Sequence, residues 1–257
     1  MISDKSEIEK QNLNTERQII SVMKELDIPS LLHKANIRKD CRKRKGGKDP
    51  EKRSAFEIFQ FLVLLVFQGC NLFRFLRSKK KDTACSKNTY YRFLNDCHYN
   101  WRAFITMLAA KAISRLDRLT RPERVRCFVV DDSVIPRERS KSVELLSYVF
   151  DHVRGKSVRG FNLLTVGWTD LYSFIPVGFN MLASAKEAKR VPVNGQIDKR
   201  TNGYKNRTAA IMQKPDAAIG MIEAALQAGI QASYVLMDTW FTNEPFIKRV
   251  KGLGLDV

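Results

Sequence analysis

Two short β-rich apolar runs, each ending on an aspartate, constrain this chain more than any other feature. One reads Cys127-Phe-Val-Val-Asp131-Asp132-Ser133 and the other Tyr234-Val-Leu-Met-Asp238-Thr239-Trp240-Phe241. Short runs rich in β-branched and aromatic residues suit buried strands. In open α/β sheets, ligand and metal sites gather where strands end and the chain leaves the core. If the two strands are neighbours, Asp131 and Asp238 can share a cation, and oxygen ligands of this kind suit Mg²⁺ or Mn²⁺. Asp132 competes with Asp131 for the role. Either aspartate, taken alone, reads equally well as the cap of a turn or of the next helix.

The pattern around these runs gives the architecture. Val125–Val130 is the first strand, Phe161–Trp168 the second and Tyr172–Phe179 the third, the last two joined by a tight turn at Thr169, Asp170 and Leu171. A polar connector over 183–214 follows. Pro215 and Asp216 open a helix with Ile219, Ile222 and Leu226 on one face, which Gly229 closes. Ala232–Met237 is a fourth strand, Glu244–Lys251 a helix, and Leu255–Val257 the start of another strand. Three strands followed by helix, strand, helix and strand predict an α/β layer with a mixed sheet.

Upstream the periodicity is helical. Ile19, Ile20, Met23 and Leu26 mark a helix within residues 1–33, interrupted at Pro29. Residues 34–53 form a basic connector with ten Lys/Arg and three Asp/Glu, read equally as a linker or as a DNA-contacting arm. Ser54 can cap the apolar helix that follows, and 87–99 and 101–119 read as two more helices. Pro122 marks the change of pattern. The expected organisation is an all-helical, basic region over 1–121 and an α/β domain over 122–257.

Charge narrows the partner. The 45 Lys and Arg exceed the 27 Asp and Glu, for a net charge of +18. Such an excess favours a polyanion, because each neutralised phosphate releases condensed counterions. Candidate DNA contacts are Tyr90 and Arg92, on a short helix after a polar turn, then Arg137, Arg139, Lys141, Arg154, Lys156 and Arg159, and Lys199 and Arg200 in the 186–207 connector. An ordinary helical core is the alternative for the aromatics, and plain solubility for the cations. The five cysteines include no close pair, as expected of reduced thiols in a cytoplasmic protein. A zinc site from Cys85, Cys97 and His98 would have a spacing outside the usual patterns. The N-terminus lacks an export-signal layout. The most apolar stretch has an uninterrupted run only over Phe61–Phe67, against the roughly 20 residues a membrane span needs.

Carboxylates on a basic chain suit phosphodiester cleavage, which needs an activated water and a stabilised leaving oxygen. Two metal ions about 3.5–4 Å apart provide both.

From about Asn88 onward the chain resembles the DDE transposases of bacterial insertion sequences, specifically those grouped as insertion-sequence family four. The resemblance rests on Phe128-Val-Val-Asp-Asp-Ser-Val-Ile-Pro136, Tyr148-Val-Phe-Asp-His-Val-Arg-Gly-Lys156, Gly160-Phe-Asn-Leu-Leu164, Ile175-Pro176 and Val235-Leu-Met-Asp-Thr-Trp-Phe241. It implies an RNase H-like catalytic domain with an Asp-Asp-Glu triad that binds two Mg²⁺ (or Mn²⁺) ions. It also implies cut-and-paste transposition on double-stranded DNA, at element terminal repeats and target, by a homodimer in the nucleoid. By position the first ligand is Asp131, or Asp132 because the doublet blurs the match, and the second is Asp238. The family's glutamate lies in a downstream Tyr-x-x-Arg-x-x-x-Glu-x-x-x-x-x-x-Lys signature that this sequence lacks, Glu244 and Asp256 being the acids that follow Asp238. The expectation is a truncated or frameshifted product without strand-cleavage activity of its own. The alternative is a non-catalytic DNA-binding fragment that modulates the full-length transposase.

Overall fold

The computed structural model describes residues 2–38, 53–78, 85–193 and 195–257, with side chains from residue 14 onward. Most of the basic connector expected over 34–53 therefore lies outside the described residues. The chain divides into two compact units, Met1–Asn100 and Trp101–Val257.

The first unit is helical: α1 (Ile2–Glu25), α2 (Ile28–Lys34), α3 (Ala55–Phe67), α4 (Leu72–Arg77) and α5 (Lys87–Leu94). Asp27 takes a left-handed conformation (φ 51°) and breaks α1 from α2. Pro29 then sits in the first turn of α2, where its missing N–H costs nothing. It begins a second helix as well as ending the first. Ser54 caps α3 as its sequence position predicts. Its Oγ accepts from the Glu57 N–H at 3.2 Å, while the Glu57 carboxylate accepts from the Ser54 N–H at 2.6 Å. This reciprocal box satisfies two donors that a helix start leaves open. Ile28, Leu31, Leu32, Ile58, Leu65, Tyr90 and Phe93 are buried in this unit.

The second unit is a mixed sheet with helices packed on it. Its strands are β1 (Cys127–Pro136), β2 (Ser147–Asp151), β3 (Lys156–Thr169), β4 (Phe174–Leu182) and β5 (Tyr234–Met237). β3 runs antiparallel to β1 along one edge and antiparallel to β4, while β5 lies parallel to β1 on its other side. β2 pairs antiparallel with the first residues of β3. Beyond β5, Asp256 forms a single parallel bridge with Tyr234, so the strand expected over 255–257 is reduced to that bridge. This is the RNase H-like mixed sheet, preceded by a helical N-terminal region.

Alternation decides which face is core. Phe128, Val130, Leu164, Val166, Trp168 and Val235 point to one side, where they meet Ala109 and Ile113 of α6 (Trp101–Leu119), Ala218, Ile222 and Ala225 of α8 (Lys214–Gln227), and Phe246 and Val250 of α9 (Glu244–Gly252). Burying apolar area of this kind is the main favourable term in folding. α6 is bound into this unit by its packing on β4 and by the Thr106 hydroxyl, which donates to the Val177 carbonyl at 3.1 Å. The division between the units therefore falls before α6, upstream of Pro122.

Further elements differ from the sequence pattern. β1 continues through Asp131 and Asp132 to Pro136 because β3 offers it a partner as far as Gly160. β2 escaped notice because exposed and buried residues alternate over only five positions. α7 (Asn202–Ala209) lies inside the polar connector and buries only Gly203 and Ala209, so it leaves little apolar periodicity to read.

Candidate active site

β1 and β5 carry the two acid-bearing segments side by side. Their parallel register matches Phe128 with Val235, Val129 with Leu236 and Val130 with Met237. Asp131 is the next residue of β1, and Asp238 follows the last residue of β5. Matched positions on neighbouring parallel strands lie about 4.8 Å apart and present side chains to the same face. Val130 and Met237 face the core, so Asp131, the next position of β1, belongs to the opposite face of the sheet.

Both carboxylates are exposed, and among the described residues neither has an ion-pair partner. Asp131 Oδ1 accepts from the Asp132 N–H at 2.8 Å. Asp238 Oδ1 accepts from the Trp240 N–H at 3.1 Å and the Phe241 N–H at 3.4 Å. That turn is fixed by Phe241, which is fully buried against Phe246. Asp238 thus caps its turn.

Asp132 is placed differently. By alternation it points to the core face, where both its oxygens accept from Lys214 Nζ at 3.0 Å and one also accepts from the Asn162 side-chain amide. Lys214 opens α8, and its ammonium also sits 4.6 Å from the centre of the Trp240 ring. One lysine therefore touches both acid-bearing segments, through Asp132 on β1 and through Trp240 two residues beyond Asp238. Nothing in the sequence pattern pointed to Lys214, which lies 82 positions from Asp132. Lysine carries the compact charge that suits both contacts. Asn162 is buried, and its Oδ1 has no partner among the described residues. Glu244, the acid nearest downstream of Asp238, pairs with Lys248 on the surface of α9 at 2.6 Å.

The donor set of Asp131 and Asp238 fits a hard divalent cation. Two carboxylates follow the last matched pair of adjacent strands, neither has an ion-pair partner among the described residues, and both are open to solvent. Elsewhere among the described residues, Asp96, Cys97 and His98 bring three donor atoms within 4.8 Å of one another. Cys85 is not in this group: its N–H donates to the Tyr90 hydroxyl at 3.2 Å. Asp96 and Cys97 both approach the same His98 nitrogen, Nδ1, at 2.9 and 3.7 Å. Asp96 also accepts from the His98 N–H, the arrangement of a local turn.

The expected DNA-contacting residues fall into distinct settings. Tyr90 is fully buried, its ring stacked on Phe61 with centroids 5.0 Å apart, and burial pushes its phenol above the ordinary range. It is a core aromatic with no surface to offer a phosphate, which corrects the sequence reading at this position. Arg92 is exposed on α5. Arg137, Arg139, Lys141 and Lys156 are exposed, Arg159 is half-buried, and none of the five has an acidic partner among the described residues. Arg154 is paired with Glu138 at 2.7 Å and with Asp151 at 3.4 Å. Lys199 is exposed, while Arg200 is held by Asp198.

The profile of the DDE superfamily endonucleases matches residues 63–257, most of the chain. The chain belongs to that family. No curated protein and no solved structure matches it. Membership brings a DNA substrate and divalent-metal chemistry as the family's common ground. It agrees with an RNase H-like sheet that places acids on adjacent strands. Among the described residues, no helix is long and apolar enough to cross a membrane.

Proposed function

We propose that this chain acts in the cleavage and joining of DNA during transposition, as a transposase of the insertion-sequence kind grouped as family four, with Asp131 and Asp238 as two of its metal-holding carboxylates. One observation carries the reading: the two acids follow the last matched pair of neighbouring parallel strands, and among the described residues neither has a cationic partner. Asp132 is assigned a structural role instead, because Lys214 and Asn162 already occupy it.

Under this reading Asp131 and Asp238 would hold Mg²⁺ or Mn²⁺, two ions by the resemblance, which would supply an activated water and a stabilised leaving oxygen. The protein's own part is positional. β1 and β5 fix the spacing of the carboxylates, and the Asp238 turn fixes the angle of the second. The sequence lacks a Tyr-Arg-Glu-Lys signature, so the pair accounts for two of the three ligands that the resemblance implies. Arg137, Arg139, Lys141, Lys156 and Arg159 would bind the phosphate backbone of element ends and target, and pairing of two ends would call for a homodimer.

Filter binding of duplex DNA over a salt series tests the substrate. The reading expects log affinity to fall steeply and linearly with log salt. Replacing Arg137 and Lys156 with alanine should reduce that slope by roughly one unit for each phosphate that is no longer neutralised. A flat response to salt contradicts it.

A further inference from the structure

The hairpin formed by β2 and β3 presents exposed aromatic rings that the cleavage reading leaves unused, beside cations that it assigns to the DNA backbone. Strand alternation splits it cleanly. Ser147, Asp151 and Val158 are buried on one side, while Tyr148 (66% exposed) and Phe150 (51% exposed) stand on the other. Two large rings exposed together on one strand face form a small apolar patch, where singly scattered exposed residues would need no explanation. Register sets Arg159 opposite Tyr148 and Ser157 opposite Phe150. The Arg159 guanidinium lies 5.8 Å from the centre of the Tyr148 ring, and His152 meets the Phe150 ring edge-on at 4.9 Å.

The turn holding this arm is locally fixed. Asp151 Oδ1 accepts from the Val153 and Arg154 N–H groups at 3.0 and 3.1 Å, and Gly155 takes the left-handed φ of 61° that closes the turn. Its acids are already committed, Asp151 to the turn and Glu138 to Arg154. Arg159 and Arg137, whose N–H donates to the Arg159 carbonyl at 2.7 Å, keep a positive charge without an acidic partner among the described residues beside the two rings. Arg159 and Thr165 lie on one face of β3, and Thr165 is the register partner of Asp131. The arm is thus displaced along β3 by six residues, about 20 Å, from the carboxylates and on their side of the sheet.

We propose that this face binds single-stranded DNA, with unpaired bases stacked on Tyr148 and Phe150 and the backbone held by Arg159 and Arg137. Exposed rings beside unpaired cations match the two components of single-strand recognition, a stacking platform and an electrostatic track. A duplex, whose bases are already stacked, would engage the cations and leave the rings idle. The inference rests on the DNA-processing reading for its choice of substrate, and on the hairpin alone for its geometry.

The test is fluorescence anisotropy of a labelled twelve-nucleotide oligothymidine, and of a duplex of equal length, with the 257-residue chain in metal-free buffer at fixed salt. The double variant Y148A/F150A should weaken oligothymidine binding by about tenfold or more and change duplex binding by less than about twofold. The aromatic-preserving variant Y148F/F150Y should bind oligothymidine as the wild type does, which separates loss of stacking from loss of folding. Equal losses on both probes, or no loss on either, would overturn the proposal. So would a shift in oligomeric state by light scattering with unchanged DNA affinity, which would make the face a protein contact. Because the buffer holds no metal, this readout does not depend on the Asp131 and Asp238 pair, so failure of the metal reading would not be mistaken for failure of this one.

Discussion

Asp131 and Asp238 stand one position beyond the matched pair of Val130 and Met237 on neighbouring parallel strands. The consecutive residue Asp132 points the other way, into an ion pair with Lys214. One residue of offset along a strand thus separates a solvent-facing carboxylate from a structural one, because side chains alternate between faces with a period of two.

The Asp132–Lys214 pair predicts an asymmetry in stability. Both side chains are largely shielded from solvent, so K214M should leave a carboxylate without its cation and cost about 1–3 kcal/mol. D132N/K214M removes both charges and should cost less than K214M alone. Urea denaturation of the three proteins reads this directly. Equal destabilisation by the single and double variants would show that the pair contributes no coupling.

Gly160 is where β3 passes from β2 to β1. A Cβ at this position would collide with the backbone carbonyl oxygen of Ile135, and backbone cannot move aside as a flexible side chain can. G160A should therefore destabilise the second unit by about 1–3 kcal/mol, seen as a lower urea midpoint. A midpoint within error of wild type would mean that β1 and β3 separate there at little cost.

Asp170 predicts an acid limb in stability. Burial alone would raise its carboxyl, but hydrogen bonds from Arg124, Ser173 and Tyr172, with the Arg124 charge, outweigh this and hold it below the ordinary range. A folded pKa below the unfolded one gives stability that is fully present above about pH 4 and is lost as pH falls through the folded value. D170N should be less stable than wild type at neutral pH, and the gap should close on acidification. Thermal melts from pH 7 down to pH 3 measure it, and a gap that widens toward low pH would contradict the assignment.

Much of this architecture was legible in the sequence because it rests on local signals. The runs ending at Asp131 and Asp238 are strands because β-branched and aromatic residues fill them, and the Thr169–Leu171 turn and the Ser54 cap announce themselves by residue type. What escaped depends on distant partners. β1 extends past its acids only because β3 is long enough to pair with it, and Lys214 reaches Asp132 across most of the domain. Tyr90 shows the converse. Its place beside Arg92 on a short helix suggested a surface reader, but Phe61, far away in sequence, takes its ring into the core. The choice between Asp131 and Asp132 was likewise beyond the sequence, since the register that separates them is set by the neighbouring strands.

The central claim is that Asp131 and Asp238, and not Asp132, hold a divalent cation. Electron paramagnetic resonance of free Mn²⁺, titrated with wild type, D131N, D132N and D238N, tests it most directly. The account predicts that D131N and D238N each weaken Mn²⁺ binding by about tenfold or more, the scale of removing a charged ligand from a site this small. D132N should keep wild-type affinity to within about threefold. Loss of binding in D132N with retention in D131N would contradict it.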